Sequence, residues 1–319
     1  MGNNCAQFEK IMAKNIDILG LGYTAVDELL YVDGYPPADS KLPVRRRERH
    51  CGGLAATALV AAARLGCRCA YAGTLGEDDH SQFVVRRFGE EGVDVTHLRH
   101  LPDARPVRST IIVDQIGQTR TILFDLNGVV GVDSSWPQED VIRAAAVLLV
   151  DNCGVEGMIR AARIALEAQI PVVADFESAE DPLFPQLLAL VDHLILSRDF
   201  ALKVTGKQDP VLAAHSLWIR NRRAVIVTCG KEGCWYASDQ QPGIPSHQQA
   251  LAVEAIDTTG CGDVFHGAYA AALVHGRNVP DAVRFATAAA GLKATHRGGQ
   301  AGIPTRAAVE ERIAKEYTG

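Results

Sequence analysis

The segment Asp257 to Asp263, with the sequence Asp-Thr-Thr-Gly-Cys-Gly-Asp, combines a glycine turn with a carboxylate, and an alanine-rich apolar run follows it directly. Gly260 and Gly262 let backbone N–H groups converge and let a ligand approach closely. The first turn of a following helix leaves its amides unpaired at the positive end of the helix dipole. The pattern therefore predicts an anion cradle of the kind that holds phosphate.

Asp263 separates this loop from a generic phosphate loop. A carboxylate repels phosphate and is a poor choice for a residue that only binds one. The better use of Asp263 is to accept a proton from a hydroxyl beside the phosphate, as phosphoryl transfer requires of a positioned base. An acid that merely complements the dipole of the helix is the alternative.

The composition of the chain limits the classes of function that it can have. The chain has 319 residues and 47% hydrophobic content, enough for one large α/β domain or two ordinary ones, and a formal charge of −6 argues against a nucleic-acid partner. The basic cluster at Arg45, Arg46, Arg47 and Arg49 is interpreted as a solvated edge. No apolar run is long enough for a membrane span, and residues 1–14 are too polar for a secretory signal, so we expect a cytoplasmic protein with no membrane partner.

The cysteines show neither paired Cys-x-x-Cys spacing nor the histidine pattern of a zinc site, so no structural metal is predicted. Most are expected to be small buried thiols. Cys261 is the exception, because a thiol near a helix N-terminus can have a lowered pKa, and a redox role stays open. The cysteines are Cys5, Cys51, Cys67, Cys69, Cys153, Cys229, Cys234 and Cys261.

From about residue 147 onward, short apolar strands alternate with helical patterns, which predicts a doubly wound, mostly parallel sheet covered by helices on both faces. Such sheets bind ligands beyond the carboxyl ends of their strands, where the glycine loop belongs. The predicted strands are Val147 to Asp151, Pro171 to Asp175, Asp192 to Ser197 and Ala224 to Thr228, and the predicted helices are Val155 to Ala168, Pro210 to Arg220 and Asp281 to Thr295.

The first half predicts a strand at Ile16 to Leu21 and helices at Leu54 to Leu65 and Ser81 to Glu91. Glu28 to Arg49 and Val107 to Asp125 alternate like strands without helix partners. We interpret residues 1–319 as a single α/β domain with lid strands from about 28–50 and 107–125 inserted in it as a small projecting sheet. A lid suits phosphoryl transfer, which must exclude water.

A competing motif is Gly20 to Ala25, which formally fits Gly-x-Gly-x-x-Gly/Ala after a strand and, with the nearby arginines, suggests an NADP site. A dinucleotide site needs a helix to open directly after the turn. Residues 27–33 instead alternate briefly and are closed by glycine and prolines. The dehydrogenase reading is therefore disfavoured.

Several motifs occur together in an order that resembles the ribokinase-like (phosphofructokinase-B) carbohydrate kinases across nearly the whole chain. The motifs are Asp27 after the first strand, Gly52-Gly53 opening a helix that ends Ala63-Arg64-Leu65-Gly66, Tyr71 to Asp78, Glu91 to Asp94, Thr228-x-Gly230-x-x-Gly233, Asp257 to Asp263, and Arg297-Gly298-Gly299.

The resemblance implies ATP and Mg²⁺ as cofactors and assigns roles to matching positions. Asp263 would be the catalytic base, and the amides of Gly260, Cys261 and Gly262 would form the anion hole for the transferring phosphoryl group. Asp27, Gly52 and Gly53 would hold sugar hydroxyls, a task that suits a carboxylate because it accepts hydrogen bonds from neighbouring hydroxyls. The alternative is a purely structural role, in which Asp27 is only a turn or cap residue.

The chain departs from the family pattern in three places. Cys261 stands where alanine is usual, and since the backbone amide does the binding, activity should survive. Leu54 and Thr57 stand where sugar-contacting asparagines are common, which puts the sugar specificity in doubt and makes Thr57 a substrate-binding candidate. The Asn-x-x-Glu pattern near the nucleotide phosphates is here Ser197-Arg198-Asp199-Phe200, so Mg²⁺ would be held mainly by ATP and water, with Asp199 as a helper.

The chain also resembles two branches of this family, and these resemblances narrow the prediction of its substrate. The stretch at Ser197, residues 35–40 and Arg120-Thr121-Ile122 resemble the ketohexokinase branch, while residues 53–58 and 257–267 resemble the bacterial sulfofructose-kinase branch. Both branches phosphorylate a primary hydroxyl of a ketose. By similarity Asp39 would be a second sugar carboxylate and Arg120 would lie near phosphate. The sulfonate-binding arginine expected after Asp151 is absent, so no sulfosugar is assigned.

The resemblance implies in-line transfer of the ATP γ-phosphoryl group to a primary hydroxyl of a small sugar. ATP contacts are expected from a set of residues that could alternatively be close-packing or surface positions. They are Ser197, Thr228, Gly230, Gly233, Ala289 and Lys293.

Alternatives stay open at this point. They are a nucleoside kinase of the same fold and a sugar-binding regulator without chemistry. The monovalent-cation requirement, including K⁺, stays open as well, and exposed apolar lid strands would favour a homodimer through the lid.

Overall fold

The computed structural model describes residues 14–117, 119–128 and 130–316. Two predictions lie outside the described residues. One is that residues 1–14 are too polar for a secretory signal, and the other concerns the thiol of Cys5.

In chain order the elements are β1 (Ile16–Gly20), β2 (Ala25–Val32), β3 (Arg46–Gly52), α1 (Leu54–Arg64), β4 (Cys69–Tyr71), β5 (Thr74–Leu75), α2 (Asp79–Glu90), β6 (Arg99–His100), β7 (Val107–Asp114), β8 (Thr119–Asp125), α3 (Glu139–Arg143), β9 (Ala145–Val150), α4 (Val155–Glu167), β10 (Val172–Asp175), α5 (Phe184–Leu190), β11 (His193–Ser197), α6 (Arg198–Thr205), α7 (Pro210–Leu217), β12 (Ala224–Thr228), β13 (Cys234–Ser238), β14 (Gln241–Gln248), α8 (Cys261–Val274), α9 (Val279–Ala294) and α10 (Arg306–Glu316).

A central eight-stranded sheet has the order β14-β13-β12-β11-β10-β9-β1-β4. Neighbouring strands from β12 to β4 are parallel, and β13 and β14 add antiparallel strands at one edge. Residues along β9 alternate between two apolar cores: Val147 and Leu149 pack with α1, α8 and α9, whereas Leu148 and Val150 pack with α4 and α5. The predicted parallel sheet covered on both faces is confirmed, and the strands are continuous apolar runs because both faces are buried.

A separate four-stranded sheet has the order β3-β2-β7-β8. Strand β2 pairs parallel with β7 over its whole length and antiparallel with β3. Strand β8 closes one edge and exposes Ile122, Leu123 and Phe124 to solvent, by 48%, 55% and 66%. The predicted small sheet is therefore confirmed as a second layer, built from segments far apart in the chain.

Helix boundaries differ from the sequence-based ones by a few residues. Helix α7 ends at Leu217 instead of Arg220. Helix α9 begins at Val279, two residues before the predicted Asp281, because the Asn278 side chain accepts the amide of Asp281 and a proline occupies the first turn. Four short elements, α3, α5, α6 and the β13–β14 hairpin, together with α10, had no sequence-based prediction.

The turn after β1 leads into strand β2 and not into a helix. It therefore lacks the helix N-terminus that a dinucleotide pyrophosphate requires, and the disfavoured dehydrogenase reading loses its structural basis. Among the described residues, no helix combines the length and apolarity needed to cross a bilayer.

Candidate active site

The glycine loop lies at the N-terminus of α8, as predicted. Gly260 is the N-cap with φ 74, and a Cβ there would lie 2.8 Å from the carbonyl oxygen of Gly299. Only glycine fits this position without strain. A Cβ at Gly262 would meet nothing within 4 Å, so the space over the first turn of the helix is open to a ligand.

Asp257 anchors the loop from within. Its Oδ1 accepts the amide of Thr259 at 2.9 Å and its Oδ2 accepts the amide of Gly298 at 2.9 Å. Burial alone would raise the pKa of Asp257, but these hydrogen bonds and the charge of Lys293 hold it below its usual value. An ionised Asp257 therefore fixes the loop against residues near the C-terminal end of α9.

Lys293 supports the same loop from below. Its side chain is fully buried, and its Nζ donates to the carbonyl oxygen of Asp257 at 2.9 Å. Burial lowers its pKa, while the neighbouring Cys261, Asp257 and Asp263 act in the opposite direction. The alternative that Lys293 is an exposed surface charge is wrong, and its contact with a nucleotide stays a prediction.

Asp263 lies in the first turn of α8, near Asp175 of the central sheet and Asp27 of the small sheet, and the space between these carboxyl groups is called the cleft below. Its carboxylate is partly exposed and makes no hydrogen bond or ion pair with the described residues. Its pKa is raised well above the usual value, first by burial and then by the negative charges of Asp175, Glu177 and Asp27. A carboxylate with raised proton affinity and no protein partner is open to an incoming hydroxyl.

Asp27 faces Asp263 from the small sheet. On β2 it pairs with His50 of β3 and Ser109 of β7, and its Oδ2 would lie 2.6 Å from a Cβ at Gly52. Burial raises its pKa, against a hydrogen bond from Ser109 and the charge of His50. Asp27 is thus a partly buried carboxylate on a strand and not the turn or cap residue of the alternative.

Gly53 is the N-cap of α1 with φ 97, and a Cβ there would lie 2.7 Å from the Tyr23 carbonyl oxygen. This close approach brings the Gly52-Gly53 segment against the loop that follows β1. The two glycines therefore lie next to Asp27 and the loop after β1, on the side that faces Asp263.

Two sugar candidates are not brought to this cleft. Thr57 is buried, and its Oγ1 accepts a weak hydrogen bond from Gln300 at 3.4 Å. Asp39 is an exposed loop residue with φ 55, and it has no hydrogen bond to the described site residues. Their predicted sugar contacts stay predictions.

Arg120 links the small sheet to the glycine loop. From β8, its Nη1 lies 3.6 Å from Asp257 Oδ1 and donates to the hydroxyl of Thr259. The alternative that Arg120 is only a surface residue of the lid strand does not account for these contacts, and its role beside phosphate stays a prediction.

The nucleotide candidates follow neighbouring strands at the carboxyl edge of the central sheet. Ser197 ends β11 and caps α6 by accepting the Phe200 amide at 3.3 Å, and it stands in register with Thr228 at the end of β12. Gly230 and Gly233 flank a short 3₁₀ turn with φ 57 and 86. A Cβ at Gly230 would meet nothing within 4 Å, so the turn is open.

Ala289 differs from these residues because it is fully buried in the core between α8 and α9. Its close-packing role is what the structure shows, and its contact with ATP stays a prediction.

Several site residues were missed from the sequence. Asp151 follows β9 and accepts the amides of Tyr23 at 2.8 Å and Cys153 at 2.7 Å. Asp175 ends β10, and Glu177 follows it. The sequence did contain a signal for Asp151 and Asp175. Each acid stands at the carboxyl end of a predicted strand, and the carboxyl ends of adjacent parallel strands meet at one edge of the sheet.

Cys261 has a half-buried free thiol on the first turn of α8. Its Sγ donates to the Ala290 carbonyl oxygen at 3.5 Å, and burial raises its pKa. The expectation of a lowered pKa at the helix N-terminus is wrong, because loss of solvation outweighs the dipole and the charge of Lys293. The described cysteines are all free.

Comparison with known proteins agrees with this architecture. The model of the pfkB family of carbohydrate kinases matches residues 16–306. The ribokinase of Haemophilus influenzae is 27% identical over 307 residues, covering 92% of this chain and 97% of that protein. The ketohexokinase of Mus musculus is 26% identical over 295 residues, covering 88% and 97%. The structure of Arabidopsis thaliana ribokinase complexed with ribose and ATP superimposes with a TM-score of 0.81 at 22% identity, covering 93% and 98%. The predicted ribokinase-like fold is thereby confirmed.

Proposed function

The chain belongs to the pfkB family of carbohydrate kinases, and from this we propose that it transfers the γ-phosphoryl group of ATP to a primary hydroxyl of a small sugar, with a ketose favoured. The observation that carries the proposal is the unpaired carboxylate of Asp263 beside the open amides of the α8 N-terminus. A proton acceptor and an anion-binding site at one place suit phosphoryl transfer to an alcohol.

In the proposed mechanism, Asp263 takes the proton of the sugar hydroxyl as the hydroxyl oxygen attacks the γ-phosphorus, and the bond from that phosphorus to the β–γ bridging oxygen breaks so that ADP leaves. The amides of Gly260, Cys261 and Gly262, with the helix dipole, stabilise the charge that develops on the phosphoryl oxygens. Lys293, buried below the loop, adds positive charge near the transferring group and fixes the loop through Asp257. Asp27 and the Gly52-Gly53 segment orient the sugar.

The residues present fit a nucleotide. Gly230 and Gly262 both leave open space where a Cβ would stand, so phosphates can approach the backbone at both turns. Ser197, Thr228 and Gly230 would hold ATP at the carboxyl edge of the sheet. Mg²⁺ would be held mainly by ATP and water, with help from the exposed Asp199, and would neutralise the negative charge of the phosphates.

The small sheet acts as a lid in this proposal. Arg120 of β8 reaches Thr259, and His50 of β3 approaches Gly298, so two strands of the sheet already contact the glycine loop and the segment after α9. The free edge of β8, with Phe124 66% exposed, is the surface through which two lids would pair in a homodimer.

The ketose preference rests on the segments that resemble the ketohexokinase branch, including Arg120 and residues 35–40. Purified protein with ATP and Mg²⁺ should be tested on ketoses, ribose and other aldoses, sulfosugars and nucleosides, with ADP release and the phosphorylated product as readouts. We expect the highest kcat/KM with a ketose. Faster phosphorylation of ribose or of a nucleoside would refute the ketose assignment, and ADP release independent of every acceptor would refute the kinase.

A further inference from the structure

One turn of α8 beyond Asp263 lies a histidine to which the mechanism assigns no role. His266 is 4% exposed. Its Nδ1 lies 2.8 Å from the Gly262 carbonyl oxygen and 3.1 Å from Asp175 Oδ2, and its Nε2 lies 3.2 Å from the Ile195 carbonyl oxygen. All of these neighbours are oxygen atoms, so the ring joins α8 to the ends of β10 and β11.

The oxygen of Asp175 that faces the ring has an unusual position. Asp175 is 6% exposed, and its Oδ2 is buried without a hydrogen-bond partner among the described residues. A bare carboxylate oxygen left unpaired in this environment is costly. A proton held between Oδ2 and Nδ1 removes the cost: Nδ1, which also faces the Gly262 carbonyl oxygen at 2.8 Å, and Asp175 Oδ2 then share a donor, while Nε2–H donates to the Ile195 carbonyl.

We infer that Asp175 and His266 share one proton as a net-neutral pair, and that His266 is a positioning residue that keeps this proton off Asp263 so that the base stays ionised. The inference rests on the proposed function of Asp263. Burial raises the pKa of Asp175 and lowers that of His266, and both directions favour the neutral pair over separated charges.

The pair matters because Asp175 is, after burial, the largest contributor to the raised pKa of Asp263. Two neighbouring carboxyl groups in a cleft of low dielectric do not ionise independently, and a single proton divides between them. The imidazole nitrogen gives that proton a better position, between Asp175 and the ring. Without the ring, a fraction of the protein molecules would carry the proton on Asp263, and those molecules would lack the catalytic base.

Other charged and titratable groups face the pair or Asp263 from each neighbouring element, and all of them are unchanged in the variants below. They are Tyr23 after β1, Asp27 on β2, Asp151 after β9, Glu177 after β10, and Lys293 on α9.

The test is the pH dependence of kcat/KM for the wild type, His266→Gln and the double variant Asp175→Asn/His266→Gln. In H266Q the acid limb should move to higher pH by about one unit or more. Activity lost at low pH should return at high pH, because Asp263 is then ionised regardless. In the double variant the limb should return to its wild-type position, because no second carboxyl remains to share the proton.

His193→Gln is a matched control. His193 is also buried on β11, but its Nδ1 lies 2.8 Å from the hydroxyl of Tyr269 and not from a carboxyl, and burial lowers its pKa to about 3. This variant should change activity equally at every pH. If H266Q folds poorly, His266→Asn keeps a polar group where Nδ1 stands and should show the same shift.

An acid limb of H266Q at the wild-type pH, or an equal shift in H193Q, overturns the inference. The proposed function fails separately, through a wild type that phosphorylates no acceptor or an Asp263→Asn variant with full activity. An active wild type, an inactive D263N and an unmoved limb in H266Q would refute the role of the pair alone.

Discussion

Asp263→Asn separates the proposed base from an acid that only complements a helix. The carboxylate makes no hydrogen bond with the described residues, so the substitution removes no protein contact while leaving the shape of the side chain. A general base contributes about 10² to 10⁴ in rate, which corresponds to about 3 to 5 kcal/mol of transition-state stabilisation. We expect kcat to fall by that factor while the sugar dissociation constant changes little.

The same variant should be more stable than the wild type, with a defined pH dependence. Burial and nearby acids raise the pKa of Asp263 in the folded state, so ionising it costs folding free energy. The contribution of Asp263 to the free energy of unfolding of the wild type falls as the pH rises from the pKa of an aspartate in the unfolded chain, about 4, towards its raised pKa in the folded protein. The gain in Tm of D263N over the wild type should therefore be near zero in acid and should grow with pH.

The measurements are ADP release in steady state, calorimetric titration of the preferred sugar, and thermal unfolding at several pH values. Asp281→Asn is the matched control, because Asp281 also occupies the first turn of a helix but is 42% exposed and pairs with Arg284 on the surface. It should leave kcat unchanged and cost at most about 1 kcal/mol. An equal loss of sugar affinity and turnover in D263N, or the same kinetic loss in D281N, would refute the reasoning.

The remaining predictions concern the loop and the lid. Gly260→Ala should destabilise the protein by about 1 to 3 kcal/mol in urea unfolding, since φ is 74 and the new Cβ meets Gly299. Gly262→Ala should instead leave the stability within about 0.5 kcal/mol of the wild type but lower kcat/KM, because its Cβ fills the space for phosphate. Equal stability of the two variants would contradict this. Lys293→Met should cost about 1 to 3 kcal/mol because the Asp257 carbonyl loses its donor, and urea unfolding that matches the wild type would show that the bond contributes little. Phe124→Glu should shift a homodimer to monomer in light scattering without altering the unfolding midpoint of the monomer, and an unchanged mass would argue against pairing through β8.

Sequence patterns were most informative where one local rule decided the structure. The glycine loop and its helix were predicted because Gly260 and Gly262 and the apolar run that follows lie within a few residues of one another. The strands β9 to β12 were predicted because burial on both faces requires continuous apolar runs. Short elements such as α5 and α6 were missed because helices of about two turns depend on tertiary packing more than on propensity.

The remainder of the site depends on strand order, which periodicity does not encode. Asp151 and Asp175 were recognised only as strand boundaries, yet β9 and β10 are neighbours in the sheet, so the two acids lie close to each other and Asp175 lies near Asp263. Lys293 was placed on the correct helix, but its complete burial follows from the packing of α9 against α8 and the glycine loop. The contact of His266 with Asp175 could not be derived for the same reason.

The anchoring of Asp257 has a consequence for how the protein is made. Its carbonyl oxygen is held by Lys293 and its carboxylate by the amide of Gly298, so the phosphate loop cannot be held in place until both of those residues are present. A nascent chain halted after α8 would carry Asp263 and the glycines but not their clamp. Ribosome-bound fragments ending before residue 293 should consequently show no sugar-dependent ATP turnover, although their lid strands are already complete.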